Sequence, residues 1–218
     1  MKDIPVFATE NGAAALSLQQ IPYSGIAHIT IHSTEAFPMF LQECVGFCRA
    51  VGAETILACG HNALAPYPVY TQILSMQRQL TGDVAGACLF PVTESSLEEW
   101  MRIYNDAMKG VPNAAILSKK AANDLLARKA AYYVHENGNL LGIGAVEDDT
   151  VLAIVSCVKG AGERIMMTLC SAVNGDTVRV EVAENNIPAM RLYERMGFVP
   201  TNILKIWYDV TNNICDVK

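Results

Sequence analysis

The C-terminal part of the sequence alternates between strand-like and helix-like segments, and their order constrains the fold more than any other feature. Short apolar or alternating runs predict strands, whereas apolar residues repeated every three or four positions predict helices. From residue 87 onward the order of elements is β-α-α-β-β-β-α-β-α-β. We therefore predict an α/β fold built on a mixed sheet.

Turn and cap residues support the ends of these elements. Asn137-Gly138 predicts a hairpin turn, and Asp148-Asp149 predicts a second turn before the next strand. Ser95 or Ser96 precedes two glutamates and predicts the N-terminus of the first helix after residue 92. These signals support the predicted order of elements with evidence other than hydrophobic periodicity.

The composition predicts a folded chain with a large core. Of the 218 residues, 51% are hydrophobic and 17% are charged, and no segment is biased enough to look like a linker. No apolar run approaches the roughly 18 residues of a membrane span, and no signal peptide is visible. We expect a cytoplasmic protein with no membrane association. A net charge of -6 argues against a nucleic acid partner, because phosphate binding needs clustered lysine and arginine.

The seven cysteines do not suggest a metal or a disulfide framework. Cys44 and Cys48 are spaced for one face of a helix, but no histidine cluster accompanies them. We interpret them as buried core residues and expect no metal. Free thiols also fit a reducing compartment.

The N-terminal part looks like a degenerate copy of the C-terminal part. Asn62 aligns with Asn185 and Tyr70 with Tyr193, and Asn11-Gly12 parallels the later Asn-Gly turn. Shared β-α-β patterns produce such matches by chance as well as by duplication. We predict two domains, a degenerate lobe over residues 1–82 and a complete lobe over 83–218.

A glycine-bearing loop in the second half predicts an anion-binding site. Gly160 and Gly162 lie between a strand and a helix, so backbone N–H groups and the positive end of the helix dipole point at one place. Lys159 and Arg164 add positive charge nearby. A plain structural turn is the alternative. The aligned segment of the first half contains no glycine, so we expect no such site there.

Two motifs resemble the GCN5-related N-acetyltransferase (GNAT) superfamily. The segment NIPAMRLYERMGF is similar to the family pattern N-x-x-A-x-x-L-Y-x-x-x-G-F, and CVKGAG resembles the pyrophosphate loop (Q/R)-x-x-G-x-(G/A). The first motif is met at Asn186, Ala189, Leu192, Tyr193, Gly197 and Phe198. The second departs at Cys157, where the family has Gln or Arg. The resemblance covers roughly residues 85 to 210.

The resemblance implies a GNAT-like acyltransferase fold, a tandem of a degenerate half-lobe and a complete lobe, with acetyl-CoA as acyl donor and no metal. The strand TVLAIVSC would splay from TVRVEV to admit the pantetheine arm, and Tyr193 would protonate the leaving thiolate. Asn186 would help to position cofactor and helix. The cofactor-binding residues would be Cys157, Val158, Lys159, Gly160, Ala161, Gly162, Glu163, Asn186 and Ala189. Loss of the Gln or Arg side chain at position 157 is expected to weaken cofactor binding without abolishing it.

The general base is left open. The strand on which the family often places a glutamate has none, and the remaining candidates are Glu147, Asp148, Glu181 and His135. Glu181 could equally form a solvated surface pair with Arg179. Neither Cys157 nor Cys170 has a convincing local base, so a covalent cysteine intermediate is not expected.

The sequence thus predicts an N-acyltransferase that transfers acetyl directly from acetyl-CoA to a primary amine on a small molecule or peptide. A non-catalytic acyl-CoA-binding or scaffold protein of the same fold is the alternative, and a third possibility is that the motif is coincidental. The expected oligomeric state is a monomer or a homodimer.

Overall fold

The computed structural model describes residues 6–80, 82 and 86–212. The described residues form two compact units. The first unit contains residues 6–73, Asn113–Ala115 and 203–212, and the second contains 74–80, 82, 86–112 and Ile116–Asn202. The predicted division into domains 1–82 and 83–218, which extends beyond the described residues, stays a prediction. No helix of the described ranges is long and apolar enough to cross a bilayer.

The first unit is a small sheet covered by one long helix. Its elements are β1 (Val6–Thr9), β2 (Gly12–Ser17), α1 (Ile21–Ser24), β3 (Ile26–Thr34), α2 (Phe37–Ala50) and β4 (Thr55–Cys59). A short 3-10 turn (Asn62–Leu64) and strand β5 (Val69–Gln79) follow. Helix α2 packs its apolar face on the sheet, with Cys44 and Cys48 fully buried as expected of core residues.

From residue 86 onward, the described chain has the predicted order of elements. They are β6 (Cys88–Pro91), α3 (Leu97–Met108), α4 (Lys119–Ala127), β7 (Ala131–Glu136), β8 (Asn139–Glu147), β9 (Thr150–Ser156), α5 (Gly162–Cys170), β10 (Thr177–Ala183), α6 (Ile187–Arg195) and β11 (Val199–Asp209). This order confirms the predicted mixed α/β fold.

Each unit is completed by a strand from the other half of the chain. In the first unit the strand order is β1-β2-β3-β4-β11, and Tyr208 of β11 pairs with Ala58 of β4. In the second unit β5 lies beside β10 in the order β5-β10-β9-β8-β7-β6. The pairings β1-β2-β3 and β7-β8-β9 are antiparallel, and β3-β4 and β9-β10 are parallel. The two units therefore share one order of strand pairings, and the predicted duplication stays a prediction.

The sheet of the second unit has a core on each face. On one face α5 and α6 cover Val178, Val180 and Val182 of β10. On the other face Trp100 of α3 and Leu125 of α4 pack over strands β8 and β9. The strands are thus buried between two helical layers, as their apolar runs predict.

Local signals place the turns where the sequence predicted them. Asn137 and Gly138 have positive φ angles of 52° and 79° in the β7–β8 turn, and Asp148 has a φ of 51° in the next turn. Ser96 is the N-cap residue of α3, but its hydroxyl contacts Thr93 and makes no capping bond to the helix. Asn11-Gly12 lies at the β1–β2 turn, with Gly12 as the first residue of β2.

Tyr70 differs from its aligned counterpart. The alignment pairs it with Tyr193, which lies on helix α6, whereas Tyr70 lies on strand β5 and is 39% exposed. The prolines at 66 and 68 leave a 3-10 turn at this point in place of a helix.

Candidate functional site

Strands β9 and β10 separate after two paired residues. The paired residues are Arg179 with Thr150 and Val180 with Val151, although the strands continue to Ala183 and Ser156. On its other side β9 remains paired with β8 as far as Ser156. Within the described chain, the edges of β9 and β10 beyond Val151 and Val180 therefore face an opening between the strands. The splay predicted from the family resemblance is confirmed.

A β-bulge in β9 lies where the strands part. Val151 pairs with Val146 and Ala153 with Ala145, so Leu152 is an extra residue on β9. A bulge bends its strand and reverses which side chains face which side of the sheet. Accordingly Val151 and Ile154 contact one core, whereas Ala153 and Val155 contact the other. The bulge gives a physical reason for the end of pairing with β10.

In the described part of the first unit, the parallel strands stay paired along the whole of β4. Strands β3 and β4 are paired over five positions, from Ile26 with Thr55 to Thr30 with Cys59, which is the whole of β4. The edge of β4 is therefore fully paired, whereas β3 continues to Thr34 beyond the last pair. The expectation that the first half holds no nucleotide stays a prediction.

The loop after β9 presents free backbone donors. Ser156 Oγ donates to the Val158 carbonyl at 2.6 Å, and Ala161 N donates to the same carbonyl at 3.1 Å, which closes the turn. Among the described residues, no carbonyl accepts from the N–H groups of Gly160, Gly162 or Glu163. The first N–H groups of a helix are normally unsatisfied and attract anions. The loop therefore has the donor set for a pyrophosphate.

Gly160 and Gly162 serve the loop in different ways. Gly160 has a φ of 82°, a left-handed conformation that other residues adopt at a cost, and the space around it is open. A Cβ atom at Gly162 would lie 3.2 Å from Leu192 Cδ2. Gly160 thus allows the turn, and Gly162 allows α6 to approach the start of α5.

The remaining predicted loop residues lie around these donors. Cys157, Val158 and Lys159 are exposed, and Ala161 is buried as the N-cap residue of α5. Partial burial raises the pKa of the Cys157 thiol, which disfavours its thiolate and agrees with the absence of a cysteine nucleophile. Cys170 is buried in the core at the end of α5.

Arg164 is engaged by a carboxylate. Its guanidinium forms an ion pair with Glu136 at the end of β7. The sequence suggested that this arginine adds positive charge to the loop, but the structure shows that Glu136 offsets that charge. Lys159 is therefore the better source of positive charge at the loop.

Helix α6 begins and ends at the predicted residues. Asn186 is the N-cap, and its Oδ1 accepts from Ala189 N at 3.4 Å. Gly197, with a φ of 81°, follows the last turn. Arg78 Nη1 donates to the Met196 carbonyl at 2.9 Å and satisfies a C-terminal carbonyl of the helix. The cap residues thus set the position of Tyr193 along the helix.

Tyr193 is buried, but its hydroxyl reaches the surface. The residue is 6% exposed and packs with Val180, Val182 and Phe198. No hydrogen bond to its hydroxyl occurs within the described ranges. The hydroxyl oxygen is not fully enclosed by the protein. Burial raises the pKa of the Tyr193 phenol to about 12. The phenol therefore keeps its proton at neutral pH and can act as a donor.

The candidate bases are in different environments. Glu147 forms an ion pair with Arg128, and Asp148 lies in the turn before β9. The ring of His135 contacts Phe90 edge-on at 5.3 Å. Glu181 is exposed on β10. The suggested pairing of Glu181 with Arg179 is wrong, because the Arg179 guanidinium binds Asp149 at 2.9 Å.

A cavity of about 450 Å³ lies at the C-terminal end of α6, opposite its N-cap. It is lined by Gln77, Arg78, Gln79, Met196, Gly197 and Val199. Because α6 has nine residues, this cavity lies roughly 13 Å along the helix from Asn186. Its lining includes no residue of the loop from Cys157 to Glu163.

Three contributions to the site were not visible in the sequence. These are the bulge at Leu152, the contact of Leu192 with Gly162, and the bond from Arg78 to the end of α6. Leu192 could have been found, because it is a fixed position of the motif in which Tyr193 lies. The other two depend on contacts between residues that are distant in sequence, and they leave no local pattern.

Comparison with known structures defines the class of fold. A GCN5-related N-acetyltransferase from Sphaerobacter thermophilus is 13% identical with a TM-score of 0.53, covering 91% of this chain and 76% of its own. One from Kribbella flavida is 13% identical with a TM-score of 0.50, covering 99% and 93%. No protein-family model and no curated protein matches the sequence.

The chain therefore has the GNAT acyltransferase fold, which confirms the fold predicted from the two motifs. At 13% identity the likeness extends to the fold and not to a particular activity.

Proposed function

We propose that the protein is an acyl-CoA-dependent N-acyltransferase that transfers an acetyl group from acetyl-CoA directly to a primary amine. The observation that carries this proposal is the opening between β9 and β10, which leads to the donor loop at Gly160–Gly162 and is bordered by helix α6 with Tyr193. A strand splay, an anion cradle and a protonated phenol in one unit are the parts that this transfer needs.

The described residues fit acetyl-CoA as the donor. The N–H groups of Gly160, Gly162 and Glu163 would bind the pyrophosphate, with Lys159 contributing charge. The unpaired edge beyond Val151 would bind the amides of the pantetheine arm. Bound acetyl-CoA supplies a thioester carbonyl that an amine can attack.

Tyr193 supplies the proton for the leaving group. As the N–C bond forms and the C–S bond breaks, negative charge develops on the sulfur. Because burial raises the pKa of the Tyr193 phenol to about 12, the phenol is protonated before the reaction and holds a proton that it can share with the sulfur as charge develops there. The proton is then recovered from solvent through the exposed part of the hydroxyl.

Direct transfer is preferred to a covalent cysteine intermediate. The pKa of the Cys157 thiol is raised, and Cys170 is buried in the core. Neither is an activated nucleophile. We also propose that the acceptor is a small molecule or a peptide and that the protein is a monomer or a homodimer.

The test is release of free CoA from acetyl-CoA with a panel of primary amines. Wild-type protein should release CoA in the presence of at least one amine, and Tyr193→Phe should lower kcat by about 10²-fold. Tyr104→Phe is a matched control, because Tyr104 is a partly buried tyrosine whose pKa is also raised by burial. Binding of acetyl-CoA without turnover on any amine would identify a binding protein. Absence of binding would overturn both the function and the interpretation of the loop.

A further inference from the structure

We propose that Glu181 binds the acceptor's ammonium group and accepts its proton, so that the acceptor is an amine that is cationic at neutral pH. This inference rests on the proposed function and adds the second proton-transfer group and the charge of the acceptor.

Glu181 lies where the cofactor opening begins. Val180 is the last residue of β10 that pairs with β9, and Glu181 is the next residue. Its side chain is exposed and alternates with those of Val180 and Val182, which are buried with Tyr193. Glu181 and Tyr193 therefore lie on opposite faces of the sheet at the separation of the strands.

Opposite faces suit the two proton transfers. An acceptor amine approaches the thioester carbonyl from one side, whereas the sulfur leaves in another direction. A carboxylate on one face can bind the incoming nitrogen while a phenol on the other protonates the sulfur. One residue could not perform both steps at once.

Three carboxylates near the strands of the opening are already paired. Glu136 binds Arg164, Glu147 binds Arg128, and Asp149 binds Arg179. Each would have to give up a cation in order to bind the acceptor. Within the described ranges Glu181 forms no ion pair, and Arg179, its neighbour on the same face, is bound to Asp149.

Distance also excludes the turn before β9. Asp148 precedes the first residue of β9, whereas the loop that would bind the pyrophosphate follows the last. At ~3.3 Å per residue, Asp148 lies roughly 13 Å along the strand from the bulge at Leu152, on the side away from the loop. Glu181, in contrast, lies at the start of the opening, because it follows Val180, the last residue of β10 that pairs with β9.

The proposed step balances as follows. Glu181 takes one proton from the ammonium group and frees the nitrogen lone pair, and the N–C bond then forms as the C–S bond breaks. Tyr193 donates a proton to the sulfur, and the nitrogen loses its second proton to solvent. After Glu181 and Tyr193 exchange protons with solvent, one amide, one CoA thiol and one proton have been produced.

Glu181→Gln tests the assignment, with Glu184→Gln as a matched control, since Glu184 is also exposed and follows the end of the same strand. Transfer would be measured to an alkylamine, which is cationic at neutral pH, and to an aromatic amine, which is neutral. We expect Glu181→Gln to lower kcat/KM for the alkylamine by about 10²-fold and for the aromatic amine by less than about threefold. Glu184→Gln should leave both unchanged.

The outcomes separate the two proposals. Equal losses for both amines, or no loss for either, would overturn the role of Glu181 while leaving the proposed function intact. A wild-type protein that binds acetyl-CoA but acetylates no amine of the panel would overturn the proposed function and the role of Glu181 with it. Acetyl-CoA affinity, measured by calorimetry, should be the same in all three proteins.

Discussion

Gly162 and Leu192 are packed so closely that a Cβ atom at position 162 would lie 3.2 Å from Leu192 Cδ2. The contact joins the first turn of α5 to α6. Because α5 presents the loop donors and α6 carries Tyr193, the size of one side chain couples the two halves of the candidate site.

A double-mutant cycle measures this coupling. Gly162→Ala introduces the crowded Cβ, and we expect it to destabilise the protein or weaken acetyl-CoA binding by about 1 kcal/mol. In a Leu192→Ala background the crowding is gone, so the same change should be neutral or stabilising by up to about 1 kcal/mol through helix propensity. Urea unfolding and calorimetric titration give both quantities. The same effect of Gly162→Ala in the two backgrounds would contradict the contact.

Gly160→Ala separates backbone strain from ligand binding. Gly160 and Gly138 have φ angles of 82° and 79°, and both are surrounded by open space. Alanine at either position should cost about 1–2 kcal/mol of stability, because left-handed backbone is unfavourable for residues with a Cβ. Acetyl-CoA affinity should fall for Gly160→Ala and not for Gly138→Ala. If both variants bind equally well, the loop is a structural turn.

Asn186 is expected to act as a helix cap. Its bond to Ala189 N is long, at 3.4 Å, so Asn186→Ala should cost about 0.5–1 kcal/mol and Asn186→Ser less. The measurement is urea unfolding. A loss of acetyl-CoA affinity in Asn186→Ser, without a loss of stability, would show that the side chain also contacts the cofactor.

Features of this fold that depend on residues close in sequence were predicted, and features that depend on residues far apart in sequence were not. The order of elements, the turns at Asn137-Gly138 and Asp148, and the ends of α6 depend on residues close in sequence, and all were predicted. The bulge at Leu152 and the position of β5 depend on pairing between distant strands. The segment containing Tyr70 was aligned with a helix and is a strand, because its prolines and its strand partners outweigh the weak similarity to α6.

The motifs predicted where the loop and Tyr193 lie, whereas the roles of these residues stay predictions. The loop and Tyr193 lie on one unit as the motifs required. The motifs do not specify which charges are already paired, so Arg164 looked available although Glu136 binds it. Ion pairs between residues distant in sequence leave no pattern that a single sequence can reveal.

Acidification is expected to destabilise the protein through His28. Burial, and secondarily the charge of Lys205, lowers the pKa of His28 from 6.5 to about 4, and its ring contacts Trp207 at 4.8 Å. The unfolded chain therefore binds more protons between pH 6.5 and 4, so stability falls as pH falls through this window, by at most about 1.4 kcal/mol per pH unit. His28→Gln should flatten the slope measured by urea unfolding. An unchanged slope would show that other groups cause it.

A fragment of residues 83–218 lacks β5, which lies beside β10 in the intact second unit. We expect the fragment to expose the edge of β10 and to lose cooperative thermal unfolding, because an unpaired strand edge promotes aggregation. Adding residues 1–82 in trans should restore the transition. Cooperative unfolding of residues 83–218 alone would show that β5 is dispensable.

The placement of β5 and β11 also limits how a gene for such a chain can be divided. A break between codons 82 and 83 would leave the first product without β11 and the second without β5, so neither product would contain all the strands of its sheet. If the chain arose by duplication, the exchange of last strands would have made the fusion irreversible. The first half then supplies a strand that the second unit needs, although its own aligned loop contains no glycine.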